Sequence, residues 1–518
     1  MPRAVFITVA LLALALRHAA AAEHVVLIVW DGMRPDFVTA ETAPTLSRLA
    51  QDGVFFKNNH ASYPSSTNVN GAVLATGDYP AHNGVISNHE YRPEVDALAP
   101  FDTSDFPGLD VIDSKLNARY LSAPTIAEIL QKAGSRTAIA GSKPVAQLAD
   151  RSRKRESDIG IHSVVVYRGK VLPRTAEPEI VAALGPFPER KTALPNVAED
   201  QWTTRALTEV LWKSGVPKFS LLWLSEPDLT QHETSPGSPA SRAAIKSDDE
   251  NLARVLDALR AKNVLTTTDI IVVSDHGFST IEQAIDMVAN LRAAGFDAVR
   301  EFKTPAQRGQ ILVVSLGASV EFYVIGHDTA VTLKLVDFLQ RSDFPGVILS
   351  REKMDGTFTL AQVHLDSASA PDIIVSSHWN NRPNEFGAEG EVASDLGKGR
   401  GQGTHSSLSP HDLHNTLIAS GPDFRKGWID KAPTGNIDVA PTILALLGLK
   451  PPQAMDGRIL KEALGGITAE PTATSQSLVA HRDLGEAVWR QTLSLTSIRG
   501  TTYLLEGNGQ RTPNPLPK

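Results

Sequence analysis

Three aspartates and three histidines stand directly behind, or close behind, apolar runs of strand length or a glycine-rich stretch. Asp31 follows Leu27 to Trp30, Asp228 and His232 follow Phe219 to Leu224, and Asp275 and His276 follow Asp269 to Ser274. His405 follows a glycine-rich stretch ending in Gly403. Carboxylate oxygen and imidazole nitrogen are donors that zinc and several other divalent metals accept. In open α/β sheets, ligands gather at the carboxyl ends of the strands. The six side chains are therefore expected at one sheet edge, as a metal site. Each has a plainer reading when taken alone. Asp31 could cap a helix or turn, Asp275-His276-Gly277 could be a simple turn, and His405 could be a solvated loop residue. Three strand-end clusters together favour the metal.

A hydroxyl nucleophile is available nearby. Ser65, Ser66 and Thr67 sit where a loop should enter a helix. Backbone N–H groups at such a point favour an anion, although any of the three could serve only as a helix cap. A metal that lowers the pKa of a hydroxyl turns it into a strong nucleophile. Lys143, in Gly141-Ser142-Lys143-Pro144, also follows a strand and could point at a bound phosphate. It reads more readily as an ordinary surface lysine.

Elements that could position these residues recur along the chain. Apolar runs at His24 to Trp30, Thr137 to Ala140, Phe219 to Leu224, Asp269 to Ser274, Gln310 to Ser315, Glu321 to Ile325 and Asp372 to Ser376 predict strands. Helical spacing intervenes at Thr42 to Gly53, Pro124 to Ala133, Ser241 to Lys262 and Ala330 to Leu339. This alternation predicts an α/β fold with a mostly parallel central sheet and helices on both faces. Two stretches break the rhythm: residues 87–121, rich in Asp, Pro and Asn, and residues 377–403, rich in glycine. Both read as loop insertions, and the second as a mobile lid or a surface loop. Residues 466–518, after a catalytic domain over 23–465, read as a tail packed on that domain.

The 518 residues carry a formal charge of −8 and no cysteine. A negative chain argues against a nucleic-acid scaffold, which needs a basic surface. Without cysteine there are no disulfides, thiolate ligands or thiol nucleophile. The start, Arg3 followed by the apolar run Ala4 to Leu16 and then small residues, reads as an export signal over residues 1–22. Thirteen apolar residues are short for a membrane span, and no later segment resembles one. The expectation is an exported protein, periplasmic or secreted, with no transmembrane segment after signal cleavage.

The motifs in order resemble the alkaline phosphatase superfamily, in its nucleotide pyrophosphatase/phosphodiesterase branch. The resemblance runs from Asp31-Gly32-Met33-Arg34-Pro35-Asp36 through APTLSRLAQDGV, the Thr67 segment and ATGDYPAHNGVISN. It continues through EPDLTQH, SDHGF and GTH to NIDVAPTILALLGLKPPQAMDGRIL, ending at Leu460. It implies an alkaline-phosphatase-like fold and two zinc ions per chain. Asp31, Thr67, Asp275 and His276 would surround one ion, and Asp228, His232 and His405 the other. It further implies that Thr67 is the nucleophile, forming a phospho-threonine, and that the Asn88 amide stabilises a phosphoryl oxygen. The small-molecule substrate would be a phosphate ester, with diesters ahead of monoesters and phosphonoacetate.

Three departures bear on this reading. The superfamily's final Gly after the last histidine is Ser406, so His411 or His414 could replace His405. Lys143 matches a substrate-binding lysine of phosphonoacetate hydrolase and some monoesterases, but their second basic residue is Val145 here. Ser66 to Asn70 lacks the pattern sulfatases need for formylglycine. A zinc-dependent binding protein without activity is the non-enzymatic alternative.

Overall fold

The apolar run His24–Trp30 (β1) forms the middle strand of a nine-stranded sheet. The other strands are Val54–Phe56 (β2), Thr137–Gly141 (β3), Val164–Tyr167 (β4) and Lys170–Leu172 (β5). Phe219–Leu224 (β6), Thr268–Val273 (β7), Leu417–Ser420 (β8) and Trp428–Asp430 (β9) complete it. The order across the sheet is β9-β2-β8-β7-β1-β6-β3-β4-β5. From β7 to β4 all neighbours are parallel, while β8 and β5 run antiparallel to theirs. The computed structural model describes residues 22–514 apart from 105, 116–119, 153–161 and 466–470. The expected export signal, Ala22 excepted, lies outside the described residues. Among these, no helix is long and apolar enough to cross a membrane.

β1 has no polar face because both of its faces are covered. Val25, Leu27 and Val29 belong to one core, with Ala72 and Leu74 of the helix Thr67–Thr76 (α1). Val26, Ile28 and Trp30 belong to the opposite core, with Leu46, Leu49 and residues of the long helix Pro239–Ala261. Alternate side chains of a strand point to opposite faces, so helices on both sides demand an unbroken apolar run. All ten residues of α1 are buried. Gly71 gives that helix its close seat, since a Cβ there would lie 2.4 Å from Val145 Cγ2.

The glycine-rich stretch 377–403 is not an irregular lid. It folds as an antiparallel pair, Trp379–Pro383 with Glu389–Asp395. The second of these strands lies parallel to Ser279–Ile285, which in turn pairs with Gly403–Thr404. Its glycines serve turns and close contacts. Gly390 has φ +105°, and a Cβ on Gly403 would meet the Gln231 carbonyl at 2.4 Å. This small sheet carries the chain directly into His405. The excursion at 87–121 contains the paired strands His89–Glu90 and Phe101–Asp102 and the helix Phe106–Lys115. The last described residues form a three-stranded antiparallel sheet over 474–513. Its Trp489 and Leu493 are fully buried in cores shared with the strand Pro345–Ser350 and its neighbours.

Candidate active site

Three adjacent strands deliver most of the predicted ligands to one edge. Asp31 follows β1, Asp275 and His276 follow β7, and Asp228 opens the helix Asp228–Thr234 (α2) behind β6. His232 lies one turn along α2 from Asp228, on the same helix face. His405 follows the strand Gly403–Thr404, and Thr67 is the first residue of α1. Asp31, Asp275 and His276 group closely enough to hold one ion, and Asp228, His276 and His405 to hold a second. His232 joins the second group through its Nε2, 3.3 Å from Asp228 Oδ1.

Each of the six predicted ligands has one polar atom anchored and one left over. The three histidines place Nδ1 on backbone carbonyls: His232 on Gly403 at 3.1 Å, His276 on Gly277 at 2.9 Å and His405 on Ser65 at 2.9 Å. A carbonyl only accepts, so each Nδ1 carries the proton and each Nε2 turns a lone pair inward. The aspartates follow the same rule. Asp275 Oδ1 accepts from the N–H groups of Gly32 and His276, both at 3.0 Å, while Oδ2 has no hydrogen-bond partner. Asp31 Oδ2 accepts from Trp223 Nε1 at 2.9 Å and is paired with Lys143, while Oδ1 has none. Asp228 Oδ2 accepts from Lys143 Nζ at 2.6 Å, while Oδ1 has none.

The free atoms face one another. His276 Nε2 is 3.6 Å from Asp31 Oδ1 and 3.3 Å from Asp275 Oδ2, and His405 Nε2 is 3.5 Å from Asp228 Oδ1. Lone pairs meeting lone pairs in a buried cluster call for cations between them. This donor set fits metal ions without any change of side chain.

The charges agree. Burial, reinforced by the neighbouring Asp275, raises the Asp31 carboxyl well above the ordinary range, and burial lifts Asp275 to about 7. Burial also works against the charge of Asp228, but Lys143 and then His232 outweigh it and hold that carboxyl well below its usual value. Burial keeps His276 and His405 neutral, the form that binds metal. Three carboxyl groups thus lie around one ammonium, which is ion-paired with two of them. Burial and mutual repulsion raise Asp31 and Asp275, and divalent cations among them would favour the ionised form of both.

Thr67 Oγ1 lies 3.3 Å from His276 Nε2, inside the cluster. Asn88 Oδ1 accepts from the N–H of Asn68, the residue after Thr67, at 2.8 Å, which leaves the Asn88 NH2 group as its donor end. Asn88, His232 and His405 line one cleft of about 360 Å³, with Leu229, Leu316 and Leu396 among its apolar walls.

His411 and His414 do not replace His405. Their Nε2 atoms are engaged by Asn381 and by the Lys57 carbonyl, both at 2.9 Å. Trp379, Asn380 and Asn381 bond to Gly507, Glu282 and His411 and do not line the cleft. Lys143 is no surface lysine: its side chain is 14% exposed, against Asp31 and Asp228. Two supporting residues have no role in the sequence reading. Trp223 is an ordinary apolar strand residue by type, and Phe278 packs its ring against all three ligand histidines.

Residues 25–405 match the sequence model of the type I phosphodiesterase/nucleotide pyrophosphatase family. The chain belongs to that family. Its relatives include a venom phosphodiesterase of Macrovipera lebetinus, 25% identical over 262 residues, which are 49% of this chain and 26% of the relative. Human ectonucleotide pyrophosphatase/phosphodiesterase family member 1 is 24% identical over 254 residues, 48% of this chain and 22% of its own. The match thus spans about a quarter of each of these relatives. Among solved structures, murine ectonucleotide pyrophosphatase/phosphodiesterase 5, an inactive variant in complex with AMP, superposes with a TM-score of 0.60. It is 17% identical and covers 86% of this chain and 100% of its own. At this identity the likeness is one of fold, and it agrees with the alkaline-phosphatase-like architecture that the motifs imply.

Proposed function

We propose that the chain is an exported two-zinc hydrolase of phosphate esters, acting on phosphodiesters or nucleotide pyrophosphates through a phospho-threonine on Thr67. The observation that carries this reading is the donor set: five buried side chains and the partly buried His232, each with one atom anchored and one free, converging beside a threonine hydroxyl. Membership of a family whose relatives are named phosphodiesterases supports it. Asp31, Asp275, His276 and Thr67 would hold one ion, and Asp228, His232 and His405 the other. The ions would supply a lowered pKa for the threonine hydroxyl and positive charge against the phosphoryl oxygens.

The chain's own groups do the rest. Thr67 Oγ1 attacks phosphorus as the bond from phosphorus to the leaving oxygen breaks, and the Oγ1 proton passes through solvent to that oxygen, which departs as an alcohol. Water then attacks phosphorus, the bond from phosphorus to Oγ1 breaks, and one water proton returns to Oγ1 while the hydroxyl stays on the phosphate. The Asn88 NH2 group donates to a non-bridging oxygen throughout, its orientation held by the Asn68 N–H. The leucines of the adjoining cleft offer an apolar wall to the second ester group of a diester. A monoester dianion would instead profit from further cations facing it. Lys143, the candidate for that role, makes its ion pairs with aspartates.

Turnover of bis-p-nitrophenyl phosphate, p-nitrophenyl phosphate and phosphonoacetate by the zinc-loaded protein and by Thr67→Ala tests the reading. The diester is expected to be the fastest substrate, with a loss of about 10³-fold or more in the variant. Faster monoester or phosphonoacetate cleavage would move the enzyme to another branch. Undiminished activity in Thr67→Ala would remove the covalent mechanism, and no turnover with zinc bound would leave a binding protein.

A further inference from the structure

We infer that Lys143 is a positioning residue that ties the two metal half-sites together, orienting Asp228 for one ion and helping to orient Asp31 for the other. This rests on the two-metal reading above and adds a role for which no substrate contact is needed.

The argument begins with the sheet. Asp31 and Asp228 follow the neighbouring parallel strands β1 and β6, in which Trp30 lies beside Leu224, and β3 lies on the far side of β6. Lys143 leaves the end of β3 two residues after Gly141, so its side chain can reach across β6 to both aspartates. Its ammonium sits 2.9 Å from Asp31 Oδ2 and 2.6 Å from Asp228 Oδ2. In both cases it takes the oxygen that does not face the histidines. The Oδ1 atoms, which do, are without hydrogen-bond partners. Among the described residues Lys143 is the one lysine or arginine in ion-pair contact with any of the three aspartates, pairing with Asp31 and Asp228.

The two half-sites depend on this contact unequally. In the first, Asp31 Oδ2 is also held by Trp223 Nε1, and Asp275 by two backbone N–H groups. In the second, the Lys143 ammonium is the one hydrogen-bond donor found on Asp228 Oδ2. Partners behind a metal ligand typically account for a 10–100-fold change in affinity when they are lost. Removing the ammonium should therefore free Asp228 to rotate while leaving Asp31 and Asp275 in place. The competing effect is electrostatic, since deleting a positive charge beside two cation sites should strengthen cation binding. The two effects have opposite signs, so an experiment separates them.

The test is a Co²⁺ titration of the apoprotein followed by visible absorption, with metal content after gel filtration as a second readout. Wild type should take up two equivalents. Lys143→Met should keep one tight site and bind the second about 10–100-fold more weakly. Lys143→Arg, which keeps the charge and at least two donors, should retain much of that affinity. Trp223→Phe removes the other tether and should weaken the Asp31 half-site instead, so the argument does not hang on the folding of one variant. Circular dichroism of each apoprotein checks the fold. Two sites of wild-type or greater affinity in a folded Lys143→Met would overturn the inference, because the ammonium would then merely oppose the metals. Intact metal binding with KM raised for phosphate monoesters would also overturn it, by making Lys143 a substrate ligand. Failure of wild type to bind two ions would sink the two-metal reading itself, a result distinct from either.

Discussion

Asn436→Ala should loosen the site without touching a ligand. Asn436 is fully buried, and its NH2 group donates to the Asp275 carbonyl at 2.8 Å and to Asn70 Oδ1 at 3.3 Å. Its own oxygen accepts from Asn415 Nδ2 at 3.0 Å and from Asn59 Nδ2 at 3.2 Å. Truncation removes all four bonds, but the losses are unequal. Asn59 keeps Asn415 as an acceptor, Asn415 keeps the Ser274 carbonyl, and Asn70 Oδ1 keeps the Ser62 N–H. Only the Asp275 carbonyl loses its side-chain donor. A buried acceptor left bare costs about 1–3 kcal/mol, and each shared bond contributes about 0.5 kcal/mol net at the low end. The sum is about 2.5–4.5 kcal/mol, which urea unfolding at fixed metal concentration would measure. Asn70 also binds the Ser62 and Ser66 carbonyls at the start of α1, so Asn436 links the Thr67 helix to the Asp275-His276 turn. We therefore expect kcat to fall about ten-fold with little change in KM, the pattern of a contact that matters in the transition state. A stability change below about 0.5 kcal/mol would refute the accounting, since that is the scatter of ordinary surface substitutions. Lost stability with unchanged kcat would confine the network to folding.

Three further outcomes follow from particular contacts. Asp269 is buried near the start of β7 with Oδ2 unpaired, and burial together with Asp423 pushes its carboxyl up to about 8. The folded chain then keeps a proton that the unfolded chain releases near pH 4, so stability should fall as pH rises from about 4 to about 8. Asp269→Asn should flatten that profile and leave the variant more stable above pH 8, by about 3–5 kcal/mol; parallel urea-unfolding profiles would refute this. Gly71→Ala places a Cβ against Val145 and should cost about 2 kcal/mol, recovered in part by Val145→Ala in the double variant. Additive single and double variants in urea unfolding would count against that contact. Removal of residues 471–518 exposes the cores that hold Trp489 and Leu493, so the shortened chain should lose cooperative thermal unfolding. A truncated protein that unfolds like the full chain would refute the shared core.

How much of this could be read from the sequence depended on which contacts are local. Asp31, Asp228 and Asp275 were legible because each follows its own apolar strand, and parallel neighbours present their carboxyl ends on one edge. His232 was legible because a helix returns to the same face after four residues. No such periodicity marks Lys143. Its role depends on β3 lying beside β6, a neighbour relation set by the order of strands across the sheet. Trp223 is hidden for a related reason: its indole reads as core in an apolar run, and only the pairing of β6 with β1 puts Nε1 within reach of Asp31. The stretch 377–403 was misread because its strands lack a continuous apolar face. Val392 and Ala393 are buried only through pairing with a segment about a hundred residues earlier in the chain. The same holds for Asn59, Asn70, Asn415 and Asn436, polar by type yet fully buried because each satisfies another. The ligands of such a site can be found from local pattern, whereas the groups that orient them belong to the topology. Lys143 is the sharpest case, since the same side chain serves as a phosphate ligand or as a metal-site tether depending on which carboxylates the sheet brings to it.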